Sequence, residues 1–197
     1  MVDADMGLRA RKKRRNQDAI IDAALHLFEA KGYDAVSVEE IAAAADVSPR
    51  TFYRYFPAKE DVLLGAPDAG EATRRALAER LPGESDVDFV ARAMLAGLTA
   101  GDPARTMRAY RLVQSVPALQ ARLFRLVWRG GQEHFVEALL ANQPRTRDAE
   151  LRAHVITHAV TDVMRVAATF WLGSPRQAPL ADECEKALSY LREAFTG

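Results

Sequence analysis

Apolar residues recur along this chain at the three- and four-residue intervals of an α-helix, and segments with the apolar-polar alternation of β-strands are nearly absent. The first apolar stripe contains Ile20, Ala24, Leu27 and Phe28, and predicts an amphipathic helix over about residues 16–31. The chain has 197 residues, 49% of them hydrophobic, which is enough to bury a core without a disulfide or a structural metal. We therefore predict an all-α fold.

Capping and turn residues divide the chain into about nine helices. Gly32 should end the first helix, and Ser37 with Glu40 has the pattern of a capping box at the start of a short second helix. Ser48 followed by Pro49 is typical of the start of a third helix. The later helices are predicted over about residues 59–80 with a kink or break at 65–70, and over 86–100, 104–115, 118–141, 147–172 and 179–195.

Residues 16–60 have the pattern of a helix-turn-helix, in which a short helix is locked against a second helix with an outward-facing polar side. Phe52 and Phe56 lie one helical turn apart and should anchor the third helix from beneath. Arg50 and Arg54 would then point away from the core, where they could reach base edges; an ordinary solvated face is the structural alternative. The positions expected to lock the two helices are Ile41, Ala42, Ala45 and Val47.

A basic run precedes the first predicted helix, although the chain as a whole has 27 basic and 27 acidic residues and no net charge. The overall charge therefore gives no argument for nucleic-acid binding. Among the charge patterns, the local excess of positive charge in this run is the one that favours it. Residues 1–15 are either a solubilising tail or a flexible arm that follows the DNA backbone or enters a minor groove. The six cations of the run are Arg9, Arg11, Lys12, Lys13, Arg14 and Arg15.

Three stretches in residues 32–63 together resemble the signature of the TetR family of bacterial transcription regulators. They are Gly-Tyr-Asp-Ala-Val-Ser-Val at 32–38, Ile41-Ala42, and Val-Ser-Pro-Arg-Thr-Phe-Tyr-Arg-Tyr-Phe-Pro-Ala-Lys-Glu-Asp-Val-Leu at 47–63. The resemblance implies a homodimer that binds an inverted-repeat DNA operator, usually as a repressor, and leaves it when a small molecule enters the C-terminal domain. It also implies that Lys59 contacts a phosphate. The predicted DNA-binding residues are Arg14, Arg15, Ser37, Val38, Ser48, Pro49, Arg50, Thr51, Tyr53, Arg54, Tyr55 and Lys59.

Two positions depart from the family pattern. Asp46 occupies the turn position where glycine is usual, so we expect a strained or altered backbone there. Ala58 stands where a capping serine is common, which weakens the start of the following helix. Neither departure changes the expected fold.

Residues 61–197 are predicted to form the ligand-binding and dimerisation domain, with the helices at about 147–172 and 179–195 as the dimerising pair. The apolar face expected to serve that contact contains Leu180, Cys184, Ala187, Leu188, Leu191 and Phe195. Candidate contacts to a small hydrophobic or amphipathic effector are Met94, Tyr110, Gln114, Trp128, His158, Met164 and Trp171, most of which ordinary core packing also explains. Gly130-Gly131 indicates a kink, a close helix approach or room for a ligand.

Two other classes of function have less support in the sequence. His154, His158 and Asp162 recur every four residues and could hold a metal or line an interface, so a metal- or redox-sensing regulator with the same DNA-binding head is the alternative. We predict no metal or other cofactor. The sequence shows no nucleophile with a base and no phosphate-binding glycine loop, so an enzyme is not expected. A single cysteine, Cys184, and the lack of a signal or membrane-spanning segment predict a cytoplasmic protein without membrane contact, at the nucleoid when bound to DNA.

Overall fold

The computed structural model of this chain describes residues 2–63, 69–117, 119–120, 132–174 and 179–196. Within those residues it contains nine α-helices with defined ends, one 3-10 helix and no β-strand, which confirms the predicted all-α fold. No helix in this part of the chain is long and apolar enough to cross a membrane.

Most helices lie within two residues of their predicted ends. The predicted helix at 59–80 is instead a 3-10 helix followed by an α-helix, and residues 64–68 between them lie outside the described part of the chain. Trp128 and Gly130-Gly131 also lie outside it. The elements are α1 (Val2–Lys31), α2 (Val38–Ala44), α3 (Pro49–Tyr55), the 3-10 helix (Lys59–Leu63), α4 (Ala69–Ala78), α5 (Asp86–Leu98), α6 (Pro103–Ser115), α7 (Glu133–Leu140), α8 (Arg147–Gly173) and α9 (Leu180–Thr196).

The first helix is longer than predicted. Residues 2–15, interpreted from the sequence as a separate flexible arm, continue the helical backbone of residues 16–31 without a break. Arginine, lysine and alanine are strong helix formers and the segment contains no proline, so its charge did not prevent helix formation. Arg14 and Arg15 are exposed on this helix.

The chain divides into two compact units, Met1–Pro67 with Gly101–Arg122, and Asp68–Ala100 with Leu123–Gly197. The predicted boundary near residue 60 was therefore incomplete, because α6 was assigned to the C-terminal domain and packs instead on α1 in the first unit. Local periodicity marks α6 as a helix but does not show which surface covers it.

The first unit has one hydrophobic core, to which α1, α2, α3, the 3-10 helix and α6 contribute. Ile20, Ala24 and Phe28 of the first predicted stripe are buried, whereas Leu27 is only partly buried. Phe52 and Phe56 are also buried, which confirms their predicted anchoring role. The remaining buried members of this core are Ile21, Leu25, Val36, Val38, Ile41, Ala42, Val62, Leu63 and Leu119.

In the second unit α4 lies close against α5, because Gly97 has no side chain. A Cβ added at Gly97 would lie 2.3 Å from Oγ1 of Thr73 and 3.2 Å from the carbonyl oxygen of Ala69. The glycine therefore allows a helix contact that a larger residue would obstruct.

The apolar side of α9 packs inside the second unit. Leu180, Cys184 and Leu188 are buried in the monomer, and α9 packs on α8. The sequence interpretation of this side as the dimer face was therefore wrong for these residues, because helical spacing predicts that an apolar face is covered but not by which surface.

A different apolar surface lies on α8. Leu151, Val155, Val166 and Phe170 are exposed, with Phe170 72% exposed. At roughly 100° per residue these four positions fall within one arc of about 100°. The opposite side of α8 is buried within the unit and contains Ala153, Val160, Met164, Ala167 and Trp171.

Candidate DNA-binding surface

The turn between α2 and α3 has a left-handed residue at the position that glycine usually takes. Asp46 has a φ of +53°, in the left-handed region that residues other than glycine rarely adopt. The turn is closed by two backbone hydrogen bonds, from Asp46 N to Ala43 O at 3.2 Å and from Val47 N to Ala42 O at 2.9 Å. The expected departure from ordinary backbone geometry at Asp46 is confirmed.

The start of α3 is fixed by its cap. The Ser48 hydroxyl accepts a hydrogen bond from the Thr51 backbone N–H at 3.1 Å and donates one to Thr51 Oγ1 at 3.0 Å. Pro49 takes the first helical position, where no N–H partner is needed. Phe52 is buried and holds one side of the helix on the core. The opposite side of this two-turn helix therefore has a defined direction.

The outward side of α3 combines cations with aromatic rings. Arg50 and Arg54 are exposed, and Tyr53 is 52% exposed. The Arg54 guanidinium donates to the Tyr55 hydroxyl at 3.1 Å and lies 4.8 Å from the centre of its ring. The Tyr53 ring meets Phe52 edge-on, with centroids 5.6 Å apart. These contacts restrict the side chains before any ligand binds, which lowers the entropy cost of binding.

The capping box at the start of α2 is confirmed. Ser37 Oγ accepts from the Glu40 N–H at 3.1 Å, and Glu40 Oε2 accepts from the Ser37 N–H at 2.9 Å. Lys31 lies 2.7 Å from the same carboxylate. Hydrogen bonds from the Lys31 ammonium and the Ser37 backbone lower the pKa of Glu40 to about 2.

Val38, predicted as a DNA contact, has its side chain in the hydrophobic core. Only its backbone remains suited to a phosphate, because the first N–H groups of a helix lack partners within the helix. The prediction is therefore wrong for the Val38 side chain, whose apolar character reflects core packing.

Lys59 has a structural role within the first unit. Its ammonium donates to the carbonyl oxygens of Tyr33 at 2.9 Å and Val36 at 3.0 Å, and lies 4.2 Å from the centre of the Tyr33 ring. An ammonium has three donors, so two are used on the connection that leads into Ser37 and α2. The side chain is thus held in place beside the capped end of α2.

The 3-10 helix begins with half of a capping box. The Ala58 N–H donates to Asp61 Oδ2 at 2.7 Å, but alanine has no hydroxyl to return the contact to the Asp61 backbone. The predicted effect of alanine at this position therefore has a structural basis.

A family model described as "Bacterial regulatory proteins, tetR family" matches residues 20–66, which include these elements. The chain is also 36% identical over 174 residues to the HTH-type transcriptional regulator TcmR of Streptomyces glaucescens, covering 84% of this chain and 76% of TcmR. The chain belongs to the TetR family. It is a DNA-binding transcriptional regulator with a helix-turn-helix, and its relatives are regulators rather than enzymes.

The chain is also similar to a transcriptional repressor and to a solved structure. Over 66 residues the chain is 39% identical to the transcriptional repressor KstR of Mycolicibacterium smegmatis, covering 34% of this chain and 31% of KstR. A putative TetR-family regulator from Syntrophomonas wolfei has a similar solved structure, with TM-score 0.56, 20% identity, and coverage of 92% of this chain and 95% of that one. At that identity the solved structure supports the shared fold alone.

The predicted effector residues are divided between the two units. Tyr110 and Gln114 lie on α6 in the first unit. The others with a described position, Met94, His158, Met164 and Trp171, lie on α5 and α8 in the second unit. No single unit brings the predicted set together.

The residues behind the alternative metal or redox trigger have ordinary surroundings. The His154 and His158 rings are stacked with centroids 6.2 Å apart, but within the described ranges no group of three or more His, Cys, Asp or Glu residues could hold a metal ion. Cys184 is buried, and burial, assisted by Glu185 and Glu183, raises the pKa of its thiol to about 11. A thiol that stays protonated is a poor redox sensor.

Proposed function

We propose that this TetR-family regulator is a dimeric repressor that reads an inverted-repeat operator with α3 and leaves it when a small molecule binds its second unit. The observation that carries the proposal is the geometry of α3. Ser48 and Phe52 fix the helix at its start and on its buried side, and Arg50 and Arg54 project from the other side. KstR is named as a repressor, which supports the proposed sign of regulation.

Contacts to DNA separate into those that read bases and those that position the protein. Arg50 and Arg54 have the reach and donor pattern to read guanine in the major groove. Ser37 lies at the start of α2 and Lys59 lies beside it, and both would bind phosphate groups of the DNA. Lys59 would use its third N–H donor for this contact. Arg14 and Arg15 on α1 would add phosphate contacts and a stronger dependence on salt. We propose that the protein is cytoplasmic and is located at the nucleoid when it is bound to DNA.

A second copy of the chain is the occupant that we propose for the exposed apolar side of α8. A helix with apolar side chains on two sides is stable in water when both sides are buried against other surfaces. Within the unit only one side of α8 is buried. Tyr190, 59% exposed on α9, would contribute to the same bundle of two helices from each copy. The two helix-turn-helix motifs of such a dimer would be held at a fixed distance and could bind the two half-sites of an inverted repeat.

Selection from a randomised duplex library tests the proposal. Wild type should enrich an inverted repeat, and Arg50→Ala and Tyr53→Ala should lose or relax the enrichment. Arg74→Ala is the matched control, because Arg74 is an exposed arginine outside the helix-turn-helix, paired with Glu71. Enrichment of no sequence by wild type, or equal enrichment by wild type and Arg50→Ala, would contradict the proposed reading of DNA.

A further inference from the structure

A small, partly buried polar cluster lies in the second unit, where α5, α8 and the start of α7 contribute side chains. The amide nitrogen of Gln132 donates to Thr161 Oγ1 at 3.0 Å. The Thr161 hydroxyl donates to the carbonyl oxygen of Thr157 at 2.8 Å and lies 3.8 Å from the sulfur of Met94. Gln132 is 5% exposed and Thr157 is fully buried.

Two atoms of this cluster lack the partners that burial demands. Gln132 Oε1 and Thr157 Oγ1 are both buried, and neither has a hydrogen-bond partner among the described residues. Buried polar atoms are nearly always paired in folded proteins, because an unpaired one loses its water without compensation. Each orphaned atom therefore indicates a group that joins the cluster in the working protein.

The backbone holds this cluster in place. The Gln132 carbonyl accepts hydrogen bonds from the N–H groups of Phe135 at 3.0 Å and Val136 at 3.1 Å, which fixes the residue at the start of α7. Thr157 and Thr161 lie one turn apart on α8. The two orphaned atoms thus belong to side chains whose backbone is helical or caps a helix, and a binding site is held more precisely on helices than on loops.

We infer that Gln132 and Thr157 form the polar end of the effector site, and that the effector is an uncharged, largely apolar molecule with a hydroxyl group. This inference rests on the proposed function, because it places the trigger of the same regulator. A hydroxyl can donate to an oxygen such as Gln132 Oε1 and accept from a hydroxyl such as that of Thr157, so this one chemical group suits either orphaned atom. It goes beyond the effector residues predicted from sequence, one of which, Met94, contacts this cluster.

The chemistry of the cluster favours an uncharged group at this end of the effector. Gln132, Thr157, Thr161 and Met94 are all neutral, so an ionised carboxylate or ammonium here would be buried without a counter-ion. The neighbouring positions on the same helices are apolar and buried, which favours an apolar body on the ligand. They are Phe135 and Val136 on α7, Val160 and Met164 on α8, and Val90 and Ala93 on α5.

The first test needs no ligand. Thr157→Val replaces the unpaired hydroxyl with a methyl group of the same shape, so the melting temperature of the free protein should rise by about 2–6 °C. Thr169→Val is the matched control, because that hydroxyl lies on the same helix, is exposed and donates to the Arg165 carbonyl. A fall in melting temperature for Thr157→Val alone would show a hydroxyl that is already paired and would overturn the inference.

The second test uses 1-decanol, its methyl ether and decanoate as probes, because an unbranched chain adapts to the shape of an apolar cavity. Only decanol carries an uncharged donor, and it should bind wild type about tenfold more tightly than the ether or decanoate by calorimetry. Thr157→Val and Gln132→Met should each remove this preference, and Thr169→Val should retain it. Equal binding of alcohol and ether, tighter binding of decanoate, or binding of none of the three would overturn the inference.

Failure of this site and failure of the proposed function have different signatures. Enrichment of an inverted repeat by wild type reports on DNA reading alone. A protein that enriches the repeat but shows no preference for decanol contradicts the effector site and leaves the DNA-binding function intact. If the site is the trigger, decanol should also release wild type from the enriched duplex, and Thr157→Val should stay bound at the same probe concentration.

Discussion

Arg105 of α6 forms a bidentate ion pair with Asp22 of α1, with its Nε and Nη2 atoms each 2.6 Å from a different carboxylate oxygen. Its Nη1 atom lies 2.5 Å from Asp18, one turn earlier on α1. One turn later on α6, Arg108 forms a second bidentate pair with Glu29, at 2.7 Å for both contacts. Two arginines thus fix α6 along α1 in the unit that carries the helix-turn-helix.

The Arg108–Glu29 pair should make a modest, pH-dependent contribution to stability. Both side chains are more than a third exposed, so a double-mutant cycle with Arg108→Ala and Glu29→Ala should give a coupling of about 0.5–1 kcal/mol at neutral pH. The hydrogen bond from Arg108 lowers the pKa of Glu29 in the folded protein. The coupling is therefore fully present above the pKa of an unfolded glutamate, about 4.3, and is lost as the pH falls from there through the lowered pKa of folded Glu29.

Urea unfolding of the four proteins of that cycle, at pH 7 and at pH 3, measures the coupling directly. A coupling near zero at pH 7 would show that the pair contributes nothing to holding α6 on α1. A coupling that grows toward pH 3 would contradict the lowered pKa of Glu29.

Asp46→Gly should stabilise the first unit by up to about 1 kcal/mol, because it relieves the left-handed backbone between α2 and α3. Asp46→Val should destabilise it by about 1–2 kcal/mol, since a β-branched residue tolerates that conformation least. The free energy of unfolding in urea measures both. Ala43→Gly, in the preceding helix, is the control and should lose about 1 kcal/mol. Equal losses for Asp46→Gly and Ala43→Gly would contradict the assignment of strain to Asp46.

Gly97→Ala should destabilise the second unit by about 1–3 kcal/mol, because the added methyl group meets the Thr73 hydroxyl. Thr73→Ala removes that hydroxyl, so the double variant should recover part of the loss. Gly70→Ala is the matched control, since a Cβ there meets nothing within 4 Å and alanine favours the helix. Thermal unfolding measures all four proteins, and an equal effect at Gly97 and Gly70 would exclude the close helix approach.

Phe170→Glu should convert the dimer to a monomer, because it places a charge in the exposed apolar side of α8 that we propose as the dimer contact. Sedimentation velocity at micromolar concentration measures the change. His154→Glu adds the same charge to an exposed position of the same helix, about 60° outside that arc, and is the control that should remain dimeric. A Phe170→Glu protein that remains dimeric would assign the dimer contact to another surface.

Sequence predicted most reliably what short-range chemistry decides. The Ser37–Glu40 capping box, the end of α1 before Gly32 and the altered turn at Asp46 all depend on residues within four positions of one another, and all are present in the structure. The outward direction of Arg50 follows from the spacing of the phenylalanines beneath α3 in the same way.

Long-range partners were not accessible from the same patterns. Arg105 and Asp22 are 83 residues apart, and nothing local marks them as a pair. Cys184 and Leu188 have the spacing of an apolar helix side, but the sequence does not say that the side is covered within the chain rather than by a second copy. The orphaned atom of Thr157 becomes visible only once its surroundings are known, because threonine is common in helices of every kind.

The central claim is that α3 reads DNA sequence, and the most direct test is the ratio of Kd values for a scrambled duplex and for the enriched inverted repeat, measured at one salt concentration. Arg50→Ala should lower that ratio by about 5–150-fold, equivalent to about 1–3 kcal/mol, because base contacts confer specificity whereas phosphate contacts do not. Arg74→Ala should leave the ratio unchanged. A ratio in Arg50→Ala equal to that of wild type would contradict the account.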